Sequence, residues 1–389
     1  MTIKPFIRSD LDRLIASEGG PHLSLFLPSP DRISEAKQDE IRIGNLARQA
    51  RETLARCWMS GSDADAFLEP LHSFANDPAL LAARNHGIAV FLCDGFLEPF
   101  RVETGIKERW MVARTFHVRP LLPALEQLEA YCLLTLSQKR VALFAGKPYA
   151  MERLDVRGLP ESFEQLQESL TAQPGSQTHS GAVGLRGKQG AVFHGQGGIP
   201  DAEKADLENY LKHLDDSVCL HMHQNPGTPL ILAGVDSLVS LFRSVSQCDS
   251  ILADSIAGNV DHLSAEELRV RVSDIVDAEI DRRREQKASR IREHDVPTAT
   301  DPERILVAAS EGRIDTLFID RDATLNGLFL SDRGILKELS DAPTGDPADA
   351  SHDLIELAAV QTLKTGGTVH AVTAGDMPVA KRMAAALRF

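Results

Sequence analysis

The stretch Tyr131-Cys-Leu-Leu-Thr-Leu136, Ser137-Gln-Lys-Arg140, Val141-Ala-Leu-Phe-Ala145, Gly146-Lys-Pro148, Tyr149-Ala-Met-Glu-Arg-Leu-Asp-Val156 decides how the chain is read. Two apolar runs of strand length are separated by four polar residues, and a third run follows a Gly-Lys-Pro connection. The pattern predicts a β-meander. Its first two strands contain no Asp or Glu, so a nuclease that holds metal on carboxylates of this sheet lacks its ligands.

Downstream, a short helix is expected near Ser162–Leu170. A glycine-rich loop over 172–200 comes next, then a helix from about Asp201 with Leu207, Leu211, Leu214 and Val218 on one side. After the break at Asn225-Pro-Gly227, Pro229–Gly234 reads as a buried strand. Ser264-Ala-Glu-Glu267 then supplies a capping box for a charged helix running to about His294.

Upstream, Leu23–Leu27 reads as a strand stopped by Pro28 and Pro30. A helix over Glu35–Trp58 follows, with Ile43, Leu46, Ala47, Ala50, Leu54 and Cys57 on its buried face and Arg42, Arg48, Arg51 and Arg56 on a solvated one. A second helix (Asp63–Ala75) and a buried strand (Gly87–Leu92) complete a mixed α/β segment that ends at Arg119-Pro-Leu-Leu-Pro123. Beyond Val296-Pro-Thr298, helix Pro302–Glu311, strand Ile314–Ile319, helix Ser351–Thr365, strand Thr368–Ala374 and helix Val379–Leu387 predict a small α-β-α layered unit. The fold class is therefore mixed α+β. Three domains are expected: 1–128, 129–295 with the glycine-rich loop, and 296–389.

The 389 residues carry a net charge of −14, distributed over all three segments, so no segment is a basic nucleic-acid platform and any RNA contact must be local. One place stands out. Between Glu168 and Asp201 there is no carboxylate for thirty-two residues, eight glycines occur, and Arg186, Lys188, His179 and His194 are the basic groups. Such a segment suits an anionic partner, because a nearby Asp or Glu would repel phosphate and glycines let backbone amides approach closely.

The N-terminus has no apolar signal core and no stretch reaches the length that crosses a bilayer, which predicts a cytoplasmic protein. Five widely spaced cysteines without a CxxC pair read as reduced thiols. In Cys219-Leu-His221-Met-His223 the three ligand-type side chains would share a face on a strand, whereas on a helix His221 points away from the other two. It continues a helical pattern, so no metal is assigned and no cofactor is expected. There is no GxSxG, no HExxH and no complete phosphate loop, since Gly184-Leu-Arg-Gly-Lys188-Gln189 lacks the first glycine and the Ser/Thr.

With the segments laid out, the chain resembles the bacterial archaeo-eukaryotic release factor family, the bacterial relatives of archaeal and eukaryotic class I peptide release factors and Pelota. The residues behind the resemblance are Leu25–Pro28 with Gln38–Leu46, Leu134–Phe144 with Phe193-His-Gly-Gln-Gly197, and Ala308–Phe318 with Leu357–Leu363 and Gly366-Gly367. It implies a three-domain protein acting on or near the ribosome or tRNA. The middle domain would present a Gly-Gly-Gln-like tip to the peptidyl-tRNA ester. The C-terminal segment has no cluster of His, Cys or paired carboxylates in an apolar setting, and is read from its residues as a protein-interaction module.

The tip maps onto His194, Gly195 and Gln196, with His194 where the first glycine would stand. Arg186 and Lys188 are the RNA-contact candidates. Two functions follow: a peptidyl-tRNA ester hydrolase in which Gln196 orients the carbonyl or the water, or a non-catalytic ribosome-binding adaptor of the same fold.

Overall fold

The computed structural model describes residues 3–17, 19–28, 36–76, 87–102, 106–125, 130–137, 139–147, 150–160, 162, 201–330, 335–338 and 352–389. These form two compact units, one of residues 1–126 with 281–389 and one of residues 127–280.

In the first unit, β1 (Lys4–Pro5), α1 (Arg8–Ala16), β2 (His22–Leu27), α2 (Ala36–Cys57), α3 (Gly61–Ala75), β3 (Gly87–Cys93), β4 (Phe96–Val102) and β5 (Arg109–Ala113) come from the N-terminal segment. The strands make a five-stranded sheet in the order β1-β4-β3-β2-β5. All neighbours are antiparallel except β1 with β4. Alternation along β2 decides the layers. Leu23, Leu25 and Leu27 meet Ile43, Ala47, Leu54, Leu68 and Leu71 of α2 and α3, while Phe26 faces a cluster with Phe91, Phe100 and Phe116. The Ser60 hydroxyl accepts from Asp63 N at 3.2 Å and caps α3.

The arginines of α2 lie in the solvated setting their spacing predicted. Arg51 forms a two-point pair with Asp65, and Arg42 lies 3.7 Å from Glu108. A short helix, α4 (Leu122–Leu125), ends the segment.

The second unit is a three-layer sandwich. Strands β6 (Tyr131–Leu136), β7 (Val141–Lys147) and β8 (Ala150–Leu154) form the expected meander. Helix α5 (Asp201–Gln224), β9 (Leu230–Gly234), α6 (Asp236–Val245), β10 (Ile251–Ala257) and α7 (Ala265–Arg292) follow, with α7 running on into the first unit. The sheet order β10-β9-β6-β7-β8 is mixed: β10, β9 and β6 are parallel, and β7 and β8 antiparallel. Cys132, Leu134 and Leu136 face Leu211, Leu214, Val218 and Phe242 of α5 and α6. Tyr131 and Leu133 face Leu268 and Val272 of α7. Burying each such aliphatic side chain contributes about 1.5–3 kcal/mol. The capping box forms as expected, Glu267 Oε2 accepting from Ser264 N at 2.8 Å.

In the remainder of the first unit, β11 (Thr298–Ala299), α8 (Pro302–Ser310), β12 (Ile314–Asp320), β13 (Asn326–Leu330), β14 (Ile335–Glu338), β15 (His352–Asp353), α9 (Leu354–Lys364), β16 (Thr368–Val372) and β17 (Met383–Leu387) form two sheets. Their orders are β11-β17-β12-β16 and β14-β13-β15.

The expected last helix, Val379–Leu387, is in fact a strand over Met383–Leu387. It pairs antiparallel with both β11 and β12 and its first four residues are buried. Tertiary pairing overrides the helix propensity of its three alanines. Gly312 (φ 69°) and Gly366 (φ 75°) make the helix-to-strand turns in the left-handed region that glycine tolerates. Among the described residues, no helix is long and apolar enough to cross a membrane.

Candidate functional site

His194, Gly195, Gln196, Arg186 and Lys188, the expected helix near Ser162–Leu170 and the loop 172–200 lie outside the described residues. The described frame fixes where that segment starts and ends. It leaves from the edge strand β8 and returns at the N-terminus of α5. The exit is tied to the helix: Gly158 sits at φ 86°, and its carbonyl accepts from Ser217 Oγ of α5 at 3.0 Å. Helix α5 is in turn held on the sheet by Leu207, Tyr210, Leu211, Leu214, Val218 and Met222. The segment is thus anchored on an apolar sandwich rather than on a polar platform.

Cys219, His221 and His223 lie on α5, so the helical alternative holds. Cys219 is buried, His221 lies on another side of the helix and is half-buried, and His223 is exposed. The expectation of five reduced thiols is corrected for two of them, because Cys219 and Cys248 are joined in a disulfide with Cα atoms 5.4 Å apart. Folding brings the end of α5 beside the chain leaving α6, a proximity that spacing in the sequence does not show.

Asp215, one turn before Cys219, is buried there and accepts from Gln247 N at 2.8 Å and from Ser246 Oγ. Its carboxylate therefore serves the backbone after α6. The remaining thiols are Cys57, Cys93 and Cys132, and burial pushes Cys132 up to about 11, which makes it a poor nucleophile.

The densest polar cluster among the described residues was not foreseen and lies inside the first unit. Glu356, in the first turn of α9, is buried. Its Oε1 accepts from Val118 N at 2.7 Å, and both carboxylate oxygens lie 3.3 Å from Arg119 N. His117 Nδ1 is 2.8 Å from Oε2. His117 Nε2 lies 3.4 Å from Arg109 Nη1, and His117 N donates to Ser24 Oγ at 2.9 Å.

Asp353 caps α9 through Ile355 N (3.1 Å) and pairs with Arg119 Nη2 (2.8 Å), while Arg119 Nη1 donates to Ala323 O at 2.9 Å. Burial works to raise the Glu356 carboxyl, but His117, Arg119 and the Val118 amide outweigh it and hold the group below its usual range. His117, Arg119 and Glu356 are enclosed, so the cluster positions chain segments and does not present a reactive group. The only clue in the sequence was the pair of polar residues beside Val118 at the end of the first segment. Their partner stands more than two hundred residues away.

Residues 131–278 match bacterial archaeo-eukaryotic release factor family 7. No curated protein matches the sequence. Among solved structures, the chain is similar to Pelota of Archaeoglobus fulgidus, with 12% identity, 78% of this chain and 80% of that one covered and a TM-score of 0.32. It is also similar to a ribosome-bound archaeal Pelota and ABCE1 assembly (10% identity, 76% and 72% covered, TM-score 0.37). A third similarity is to the archaeal translation termination factor aRF1 (12% identity, 98% and 96% covered, TM-score 0.23). At these scores the superpositions do not extend the match beyond its own residues. Residues 131–278, over which the chain is similar to the bacterial archaeo-eukaryotic release factor family, hold the whole mixed sheet and bracket Gly195-Gln196.

Proposed function

We propose that the protein is a cytoplasmic, ribosome- or tRNA-associated, release-factor-like factor that brings the acid-free segment 172–200 to RNA and hydrolyses the peptidyl-tRNA ester. The observation behind the reading is the family match over residues 131–278, which encloses that segment. In this reading Arg186 and Lys188 meet phosphates, and Gln196 offers its backbone N–H and side-chain amide to the ester carbonyl or to the attacking water. Water oxygen bonds to the ester carbon, the tRNA oxygen leaves, and the water proton passes to it. The chain works in three parts, 1–128, 129–295 and 296–389, the last engaging a protein partner. Support for that division comes from the sheets, since each draws its strands from a single part.

A second reading is favoured by His194. A side chain stands where the tip would need close backbone approach, which suits a non-catalytic adaptor that docks through the same segment. Hydrolysis of peptidyl-tRNA, measured with and without ribosomes, separates the two. Gln196→Ala is expected to lower turnover by about a hundredfold with binding unchanged, the size of one lost oxyanion donor. Arg186→Ala with Lys188→Ala should weaken binding and flatten its salt dependence by about two phosphate contacts. If wild type and Gln196→Ala both bind and are both inactive, the adaptor reading replaces the hydrolase.

A further inference from the structure

Lys107 just before β5, Arg109 at its start, Arg119, and Arg321 just after β12 line one cavity of about 80 Å³, together with Ile106, Pro120, Pro123 and Asp322. Four cations meet there in a chain whose net charge is −14. Asp322 is the single acid in the wall, and it is shared: Lys107 Nζ is 2.7 Å from Oδ1 and Arg321 Nε 3.7 Å from Oδ2.

The floor is more informative. Arg119 is 1% exposed, its Nη1 donates to Ala323 O and its Nη2 lies 2.8 Å from Asp353, but its buried Nε–H has no hydrogen-bond acceptor among the described residues. A buried charged donor left without an acceptor costs free energy unless something supplies one. Pro120 and Pro123 carry no N–H, so the wall's donors to an anion are chiefly its side-chain cations.

We infer that this cavity is a binding site for a single phosphate group, held between the buried Arg119 and the surface pair Lys107 and Arg321. The volume admits a phosphate group. Several cations around one point match a tetrahedral oxyanion better than a planar carboxylate, which one guanidinium can satisfy in two-point fashion. Asp322 occupies the cations when the site is empty and is displaced from them when phosphate arrives. The site stands independently of residues 186–196. The phosphate can come from a free phosphorylated molecule or from an RNA backbone, and the test distinguishes the two.

Inorganic phosphate and a short oligouridylate without terminal phosphate are titrated calorimetrically into the full-length protein and into Arg321→Ala and Asp322→Asn. Both substitutions are at surface positions, so folding is retained, which a thermal melt verifies. Arg321→Ala is expected to weaken binding about tenfold, the size of one charge-assisted hydrogen bond, and Asp322→Asn to strengthen it by removing the internal competitor. If the oligouridylate follows that order, the ligand is an RNA phosphate. If only inorganic phosphate follows it, the ligand is a small phosphorylated molecule. Failure of both probes to bind, or equal binding of each to all three proteins, overturns the site.

Discussion

The two compact units solve the problem of burial differently. The unit of residues 127–280 is an apolar sandwich, and its buried charged side chains among the described residues are Asp215 and Glu279. The other unit, which assembles 1–126 with 281–389, buries Asp10, His22, His117, Arg119, Glu356 and His370. Its polar contacts also reach further along the chain. Asp215 bonds to residues 31 and 32 positions away, whereas Glu356 bonds to Val118 across 238 and Arg119 to Ala323 across 204. Apolar burial is non-directional and accepts many registers, while a carboxylate that must receive two amides and a histidine accepts one. In the divided unit the ionic cluster therefore specifies which parts of two remote segments meet, and the contiguous unit, whose elements are close in sequence, manages without such a device.

The largest way to break this contrast is Glu356→Ala. It strands His117 and the backbone amides of Val118 and Arg119 without their buried acceptor, and a loss of about 3–5 kcal/mol is expected in urea unfolding, confined to the unit that contains it. The pH dependence has a definite sign. Because the folded carboxyl lies below its ordinary value of 4.5, its contribution is complete above that pH and disappears as pH falls through the lower folded value. Glu356→Gln, which cannot titrate, should flatten that acid loss. An unchanged acid limb in Glu356→Gln would show that Glu356 does not set the acid sensitivity of this unit.

The same contrast explains what could be read in advance. The meander, α5 and the Ser264–Glu267 cap were legible because each is specified within a few residues by alternation, three-and-four spacing or a reciprocal side-chain cap. Strands β4 and β5 were not recognised. Phe96–Val102 has its apolar pattern broken by Glu98, Pro99 and Arg101, and in Arg109–Ala113 the apolar run Trp110–Ala113 is only four residues long and mostly half-exposed.

Met383–Leu387 reads as helix because alanine is the best helix former, and pairing with β11 and β12 makes it a strand. His117 with Glu356, and Cys219 with Cys248, are products of the tertiary fold, and single-sequence spacing says nothing of either. For the tip, the acid-free composition and the resemblance located Gly195-Gln196 in the chain, and the fold adds the sheet edge and helix between which that segment is hung.

A smaller effect should come from the disulfide, which acts on the contiguous unit alone. Cys219 and Cys248 are separated by 29 residues, and closing a loop of that size is worth about 3.6 kcal/mol in the chain-entropy description. Reduction, or Cys248→Ser, is expected to lower the unfolding midpoint of the 127–280 unit and to leave the other unit where it was. Thiol titration of the unfolded, unreduced protein should count Cys57, Cys93 and Cys132 and no others. Five reactive thiols without reductant would remove the crosslink from the argument.

The smallest effects come from two glycines, which sharpen the comparison at the level of single methyl groups. Gly146 on β7 lies under the Tyr131 ring across the pair β6–β7, and a Cβ there would come within 2.1 Å of Tyr131 Cζ. Since Tyr131 is buried against the face that receives α7, its ring has little room to retreat. Gly146→Ala is expected to cost about 1–3 kcal/mol by overpacking. Tyr131→Leu should relieve most of that cost, so the two substitutions together should destabilise less than the sum of the two alone. Gly44, in the middle of α2, has nothing within 4 Å of its would-be Cβ and no left-handed φ. Gly44→Ala should therefore stabilise the divided unit by about 0.5–1 kcal/mol, because alanine loses less backbone entropy on entering the helix. Urea midpoints of the two variants should move in opposite directions, each in its own unit. A destabilising Gly44→Ala would mean that this face of α2 is covered by another surface and that its solvated arginines belong to an interface.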